Sequence, residues 1–109
     1  FYDYKEDFYH AFLLGIFLGV GYDPESNREH GEGRTDIVLE NPCGDKVAIF
    51  ELKHSNNRSD LPKDCDKALK QIQERKYTIN YENEFDEILC YGISFYRKSC
   101  MVKIFKLNK

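Results

Sequence analysis

The spacing of apolar residues predicts a helix at the start of the chain. Over residues 4–20 one apolar stripe repeats every four residues, at Tyr4, Phe8, Phe12 and Ile16. Asp3 is a candidate N-cap residue, and Glu6 stands at the capping-box position three residues later. The second half of this helix is apolar nearly all round, so we expect it to lie buried at the centre of the fold.

Five short segments are predicted as strands; four are rich in β-branched and aromatic residues, and the first is a short polar run before Gly31 and Gly33. The runs cover residues 25–30, 34–40, 46–54, 88–95 and 101–107, and glycine, proline or polar residues separate them. A second helix is predicted from Leu61 or Pro62 to about Tyr77, because proline is tolerated in the first helical turn. The order is helix, three strands, helix, two strands, which indicates a small α/β domain with a central mixed sheet flanked by helices.

Length and composition indicate one folded domain. The chain has 109 residues, of which 41% are hydrophobic and 15% aromatic, and this content excludes an intrinsically disordered chain. The longest uncharged apolar run, from Ala11 to Tyr22, is shorter than the roughly 20 residues of a membrane-spanning helix. No signal peptide opens the chain, so we expect a cytoplasmic protein without a membrane partner. Because the first residue is Phe rather than Met, we expect a domain excised from a longer protein.

The net charge of -3 hides an uneven distribution of charge. Residues 1–40 carry nine acidic and three basic side chains, whereas residues 53–76 carry four acidic and seven basic ones. A basic face for nucleic acid and an ordinary solvated surface both fit this pattern. No CxxC pair occurs among the four cysteines, so zinc-binding spacing is absent and we expect reduced structural thiols at Cys43, Cys65, Cys90 and Cys100.

Charged residues at the end of an apolar strand form the candidate site. Glu51 and Lys53 are two residues apart on the third predicted strand, so they project from the same face. Asp36 lies on the preceding strand, which a hairpin brings alongside. Two carboxylates and a lysine at adjoining strand ends would suit a divalent cation such as Mg²⁺, which activates water for phosphodiester hydrolysis. The alternative is a solvated surface pair of Glu51 and Lys53.

Further stretches of sequence connect this site to a known family. They are EDFYH at residues 6–10, SNREHGEGRTD at residues 26–36 and KALKQI at residues 67–72. Together with GRTDIVL at residues 33–39 and AIFELK at residues 48–53, they make the chain resemble the PD-(D/E)XK nuclease superfamily. More specifically, it is similar to the nuclease-like domain at the C-terminal end of bacterial and archaeal proteins that begin with an AAA-ATPase-like domain. Thr35 stands where the superfamily's name places proline.

The resemblance implies a restriction-endonuclease-like core, as a single domain over residues 1–109, and metal-dependent nuclease activity. By this resemblance Asp36 and Glu51 bind Mg²⁺ or Mn²⁺, and Lys53 assists the attacking water. The implied partners are nucleic acid, with DNA ahead of RNA, and a covalently linked AAA-ATPase-like domain. A homo-oligomer is also possible under this resemblance.

The resemblance also adds one residue from each helix to the catalytic site. Glu6 matches an acidic residue of the first helix that often completes the site, although the capping role explains Glu6 equally well. Gln71 matches a glutamine of the second helix, whereas Gln73 and Tyr77 fit an i,i+4 pair on the same helix. An ordinary solvated glutamine is the alternative for Gln71.

Two rival functions remain at this point. The first is a catalytically inactive module that keeps the nuclease-like fold and serves as a docking or regulatory part of an AAA-ATPase-like protein. The second is a small α/β interaction domain unrelated to nucleases. Function belongs to the site rather than to the fold, so the placement of the candidate residues decides between them.

Overall fold

The computed structural model describes the backbone of residues 4–22, 24–29, 34–40, 45–74 and 84–108. Side chains are described for residues 8–22, 24, 37–40, 45–74 and 84–107. Within these ranges the fold consists of two α-helices, one short 3-10 helix and five strands. None of the described helices is long and apolar enough to cross a membrane.

The strands form one mixed sheet whose spatial order follows the chain. The elements are α1 (Tyr4–Gly19), β1 (Glu25–Glu29), β2 (Arg34–Glu40), β3 (Lys46–His54), a 3-10 helix (Arg58–Asp60), α2 (Leu61–Glu74), β4 (Glu87–Tyr96) and β5 (Ser99–Asn108). Neighbouring strands pair antiparallel except β3 and β4, which run parallel. Helix α2 is therefore part of the crossover connection that a parallel pair requires.

The two faces of the sheet are covered by different helices. Along β3, Ile49 and Glu51 project to the face that α2 covers, and Ile72 of α2 joins Ile49 in the buried core. Phe50 projects to the opposite face, where its ring centroid lies 5.2 Å from that of Phe17 on α1. The fold therefore has three layers, with the sheet between the two helices.

Helix α2 approaches the sheet closely at Gly92 on β4. A Cβ atom placed on Gly92 would lie 2.5 Å from the carbonyl oxygen of Cys65 and 3.0 Å from Cγ of Leu69. Only a residue without a side chain fits below this backbone oxygen. On the same face, the hydroxyl of Ser94 donates a 2.8 Å hydrogen bond to the carbonyl oxygen of Leu61, which fixes the start of α2 to β4.

The prediction that the second half of α1 lies buried at the centre of the fold is wrong. Helix α1 packs against β2 and β3 with one side. On its other side, large apolar side chains are between 45% and 65% exposed, at Phe8, Phe12, Ile16 and Leu18. A helix that is apolar all round needs neighbours on every side to be buried, and the described part of the chain covers it from the sheet side.

The other predicted elements agree with the structure. The bounds of β2 and β3 match the predicted ranges, and β4 and β5 extend one or two residues beyond them. The candidate cap Asp3, the end of the first predicted strand at residue 30 and the predicted helix end after residue 74 lie outside the described residues. The structure confirms the predicted α/β fold with a mixed sheet flanked by helices.

The described cysteines are free thiols, as predicted. Cys65 and Cys90 are buried and Cys100 is exposed, while Cys43 lies outside the described residues. Burial raises the pKa of Cys90 from 9.0 to about 11, because its thiolate would lose hydration in the core. The neutral thiol is therefore the form that the native core holds.

Replacing Gly92 with alanine should destabilise the domain. The new methyl group would clash with the α2 backbone, and overpacking of this kind costs about 1–3 kcal/mol. The free energy of unfolding from urea denaturation measures the loss. Gly15→Ala on α1 is the matched control, because nothing lies within 4 Å of its added Cβ atom and the variant should be at least as stable as wild type. Equal free energies for Gly92→Ala and wild type would contradict the close contact.

The cysteines should differ in their reaction with iodoacetamide. At about pH 8.5 the native domain should be alkylated at Cys100, whereas Cys90 stays protected because it is buried and protonated. Mass spectrometry of peptides reports each site, and both cysteines should react alike in urea. Since the native pKa of Cys90 is raised, its stabilising effect is complete below pH 9 and declines as pH rises toward 11. Equal native rates at the two cysteines would show that Cys90 is accessible.

Candidate active site

Glu51 occupies a core position on β3. Its side chain is 0% exposed, as are those of Ile49 and Leu52 on the same strand. Burying a carboxylate costs free energy unless a cation or hydrogen-bond donors compensate for its lost hydration. A buried carboxylate among the apolar residues of a central strand therefore marks a candidate site for cation binding or catalysis.

A row of paired residues crosses the sheet at Glu51. Asp36 of β2 is its antiparallel partner and Gly92 of β4 is its parallel partner. Directly opposed residues share a face of the sheet, and in an antiparallel pair their Cα atoms are about 4.5–5.5 Å apart. The backbone register thus puts Asp36 next to Glu51, while the side chain of Asp36 lies outside the described set.

The pairing of β2 with β3 ends at this row. The last pair of the ladder is Asp36 with Glu51. Beyond it, β2 still pairs with β1 back to Arg34, and β3 still pairs with β4 as far as His54. The two strands therefore part beside Glu51, and Lys53 has a paired backbone neighbour only on the β4 side. The buried carboxylate therefore lies at the end of one of the two ladders that β3 forms.

Lys53 follows Glu51 on the same face of β3 and is half-buried. Its parallel partner is Ser94, whose hydroxyl already donates to the start of α2. None of the ion pairs between described side chains involves Lys53. Lys53 therefore places a positive charge on the same face as the carboxylate of Glu51.

Gln71 and Glu6 belong to different layers of the fold. Gln71 is half-buried on α2, the helix that covers the face of Glu51. Glu6 lies in the first turns of α1, which covers the opposite face, and its side chain is outside the described set. Tyr9, less than one turn later, stacks on Phe95 with ring centroids 4.1 Å apart, so this part of α1 lies over the end of β4. A role for either residue in the site stays a prediction.

Sequence reasoning missed two polar contacts beside the site. Ser55 directly follows β3, is fully buried and donates a 2.6 Å hydrogen bond to the carboxylate of Asp64 on α2. Cys65 of the same helix has its Sγ 3.2 Å from Oγ of Ser94. Side chains alternate between the two faces along a strand, so the sequence could have shown that Ser55 lies on the same face as Lys53. Both contacts fix the first half of α2 against the strands that carry the site.

Comparison with known proteins gives this arrangement a family. A family model described as the PD-(D/E)XK nuclease superfamily matches residues 4–105, nearly the whole chain. The chain belongs to the PD-(D/E)XK nuclease superfamily. No curated protein and no solved structure gives a significant match. The family match confirms the predicted superfamily and its restriction-endonuclease-like fold, whereas the linked AAA-ATPase-like domain stays a prediction.

The oxygen donors of this PD-(D/E)XK domain suit a hard divalent cation. Glu51 offers a buried carboxylate, and Asp36 stands opposite it in the ladder. Mg²⁺ typically takes one or two carboxylates and keeps several water ligands, so this pair is sufficient for it, and Mn²⁺ has the same preference for oxygen. Within the described side chains, no three His, Cys, Asp or Glu residues form a metal-binding cluster.

Mn²⁺ should raise the melting temperature of this PD-(D/E)XK domain. A cation that binds only the native state adds roughly 2.7 kcal/mol to stability at 100 times its dissociation constant. Glu51→Gln and Asp36→Asn should lose most of this shift, because each removes one carboxylate that we expect to hold the cation. Thermal melts with increasing MnCl₂ measure the effect. Glu40→Gln, at the exposed far end of β2, is the control and should keep the full shift. An undiminished shift in Glu51→Gln would exclude Glu51 as a ligand.

Proposed function

We propose that the domain is a metal-dependent nuclease that hydrolyses phosphodiester bonds in DNA, with RNA as the second substrate class. The observation that carries this proposal is the pairing of Asp36 with the buried Glu51 at the point where β2 and β3 part. Lys53 adds a positive charge on the same face. Membership of the PD-(D/E)XK nuclease superfamily supports nuclease activity in general, and the metal and the substrate are parts of the proposal.

Asp36 and Glu51 would hold Mg²⁺ or Mn²⁺. A bound divalent cation supplies Lewis-acid stabilisation of the negative charge that develops on the phosphate. Because Glu51 is fixed in the interior of β3, its carboxylate needs little reorganisation when a ligand arrives. Its burial also lowers the local dielectric constant, which strengthens its attraction for a cation.

Lys53 would act on the attacking water and on the phosphate. Its ammonium group can donate a hydrogen bond that orients the water, and its charge stabilises the additional negative charge of the transition state. Lys53 is half-buried whereas Glu51 is fully buried, so the lysine lies closer to the solvent that supplies the water. Gln71 from α2 and Glu6 from α1 would complete the pocket.

We also propose the cellular setting that the family resemblance implies. The domain would be linked to an AAA-ATPase-like domain and would work in the cytoplasm. The free thiols of Cys65, Cys90 and Cys100 are consistent with a reducing compartment. The linked domain would deliver nucleic acid to the site or regulate access to it.

Cleavage assays test the catalytic assignment. The domain should cut plasmid DNA in the presence of Mg²⁺ or Mn²⁺, and Glu51→Gln and Lys53→Met should each lower the rate by roughly 10²–10⁴-fold. Lys46→Met is the matched control, because Lys46 is an exposed lysine at the far end of the same strand. Single-stranded DNA and RNA oligonucleotides in parallel reactions identify the preferred substrate. Equal cleavage rates for wild type and Glu51→Gln would contradict the assignment of Glu51 to the catalytic site.

A catalytically inactive docking or regulatory module is the second candidate. The observation in its favour is the exposed apolar side of α1, which includes Phe8 and Phe12 at 65% and 60% exposure. Exposed apolar surface of this kind is typical of a binding face. Absence of cleavage that depends on Glu51, together with no stabilisation by Mn²⁺, would favour this candidate.

A further inference from the structure

The turn between β4 and β5 has an unusual backbone. Arg97 and Lys98 form a two-residue connection between the paired residues Tyr96 and Ser99. Arg97 has a φ of 53°. Among the residues that the structure describes, no other residue except glycine has a positive φ. Glycine is preferred where the first residue of such a hairpin turn has positive φ, because a Cβ atom is strained there. Arginine at this position therefore has a conformational cost.

Aromatic residues hold this strained turn in place. The hydroxyl of Tyr9 on α1 donates a 3.3 Å hydrogen bond to the carbonyl oxygen of Arg97. The ring of Tyr9 is itself stacked on Phe95, nearly parallel to it at 5°. The guanidinium carbon of Arg97 lies 5.2 Å from the centroid of the Tyr96 ring, within the range of a cation–π contact. Both the backbone and the charged group of Arg97 are thus positioned before any ligand binds.

The turn lies at the end of the sheet where the ladder between β2 and β3 stops, which is the end that carries Lys53. Lys53 pairs with Ser94 on β4, and Arg97 comes three residues later, which is about 10 Å along an extended chain. Each strand of a DNA duplex advances about 3.4 Å per nucleotide, so this distance corresponds to a few nucleotides. Arg97 and Lys98 are exposed, and none of the ion pairs between described side chains involves them.

We infer that Arg97 binds a phosphate of the DNA backbone a few nucleotides from the bond that is cut. This inference rests on the proposed function and adds a positioning residue to it. A planar guanidinium can donate two hydrogen bonds to one phosphate, and such contacts fix the register of a nucleic acid without reading its sequence. Ligand binding at this point accounts for an arginine where glycine would relieve the strain of the turn.

The variant Arg97→Gly separates binding from folding. It removes the charge and suits the positive φ, so its melting temperature should stay within a few degrees of wild type or rise. Its affinity for a fluorescent 20-base-pair duplex, measured by anisotropy without divalent cations, should fall roughly fivefold to tenfold. The slope of log affinity against log salt should become shallower by about 1, because one phosphate contact is lost. Arg97→Lys keeps the charge and should retain most of the affinity.

Lys46→Gln is the matched control, because it removes an exposed positive charge at the opposite end of β3. It should leave both the affinity and the salt slope unchanged. In cleavage assays Arg97→Gly should raise KM with little change in kcat, which a purely structural role would not produce. Wild-type affinity and salt slope in Arg97→Gly would overturn the inference even if cleavage depends on Glu51. Cleavage that does not depend on Glu51 would instead overturn the proposed function.

Discussion

The contact between the backbone of α2 and Gly92 determines the shape of the candidate site. Because the carbonyl oxygen of Cys65 would meet any Cβ atom there at 2.5 Å, the helix lies close to β4, beside the strand position of Glu51. The hydrogen bond from Ser94 to Leu61 holds the start of the helix to the same strand. The site is therefore closed on the β4 side by contacts that leave little freedom for the helix to shift.

On the other side of the site, the pairing of β3 with its neighbour stops early. The ladder between β2 and β3 stops at Asp36 and Glu51, although both strands continue beside their other neighbours. Glu51 therefore lies at the end of one ladder, and its carboxylate is removed from bulk water. This burial strengthens electrostatic interactions at the site. Arg97 stands at the same end of the sheet, so positive charge lies at the end where this ladder stops.

Features with a local cause could be predicted from the sequence. Alternation of apolar residues predicts β2 and β3. A hairpin between them brings Asp36 toward Glu51, and the observed register pairs these two residues. The environment of α1 could not be predicted, because a stripe of apolar residues does not say whether a neighbour covers it. The contacts of Gly92 with α2 and of Tyr9 with Arg97 join residues far apart in the sequence, where no periodic pattern gives a signal.

The two residues paired with Glu51 are joined to it by connections of different length. A hairpin connects the strand of Asp36 to that of Glu51, whereas the connection from Glu51 to Gly92 includes the whole of α2. Closing the longer loop costs more entropy, which must be recovered by packing across the whole domain. A fragment that ended before β4 would contain every residue proposed for metal binding and catalysis, yet Glu51 would lack its covered side. The smallest unit able to hold this site therefore extends well beyond the last of those residues in the sequence.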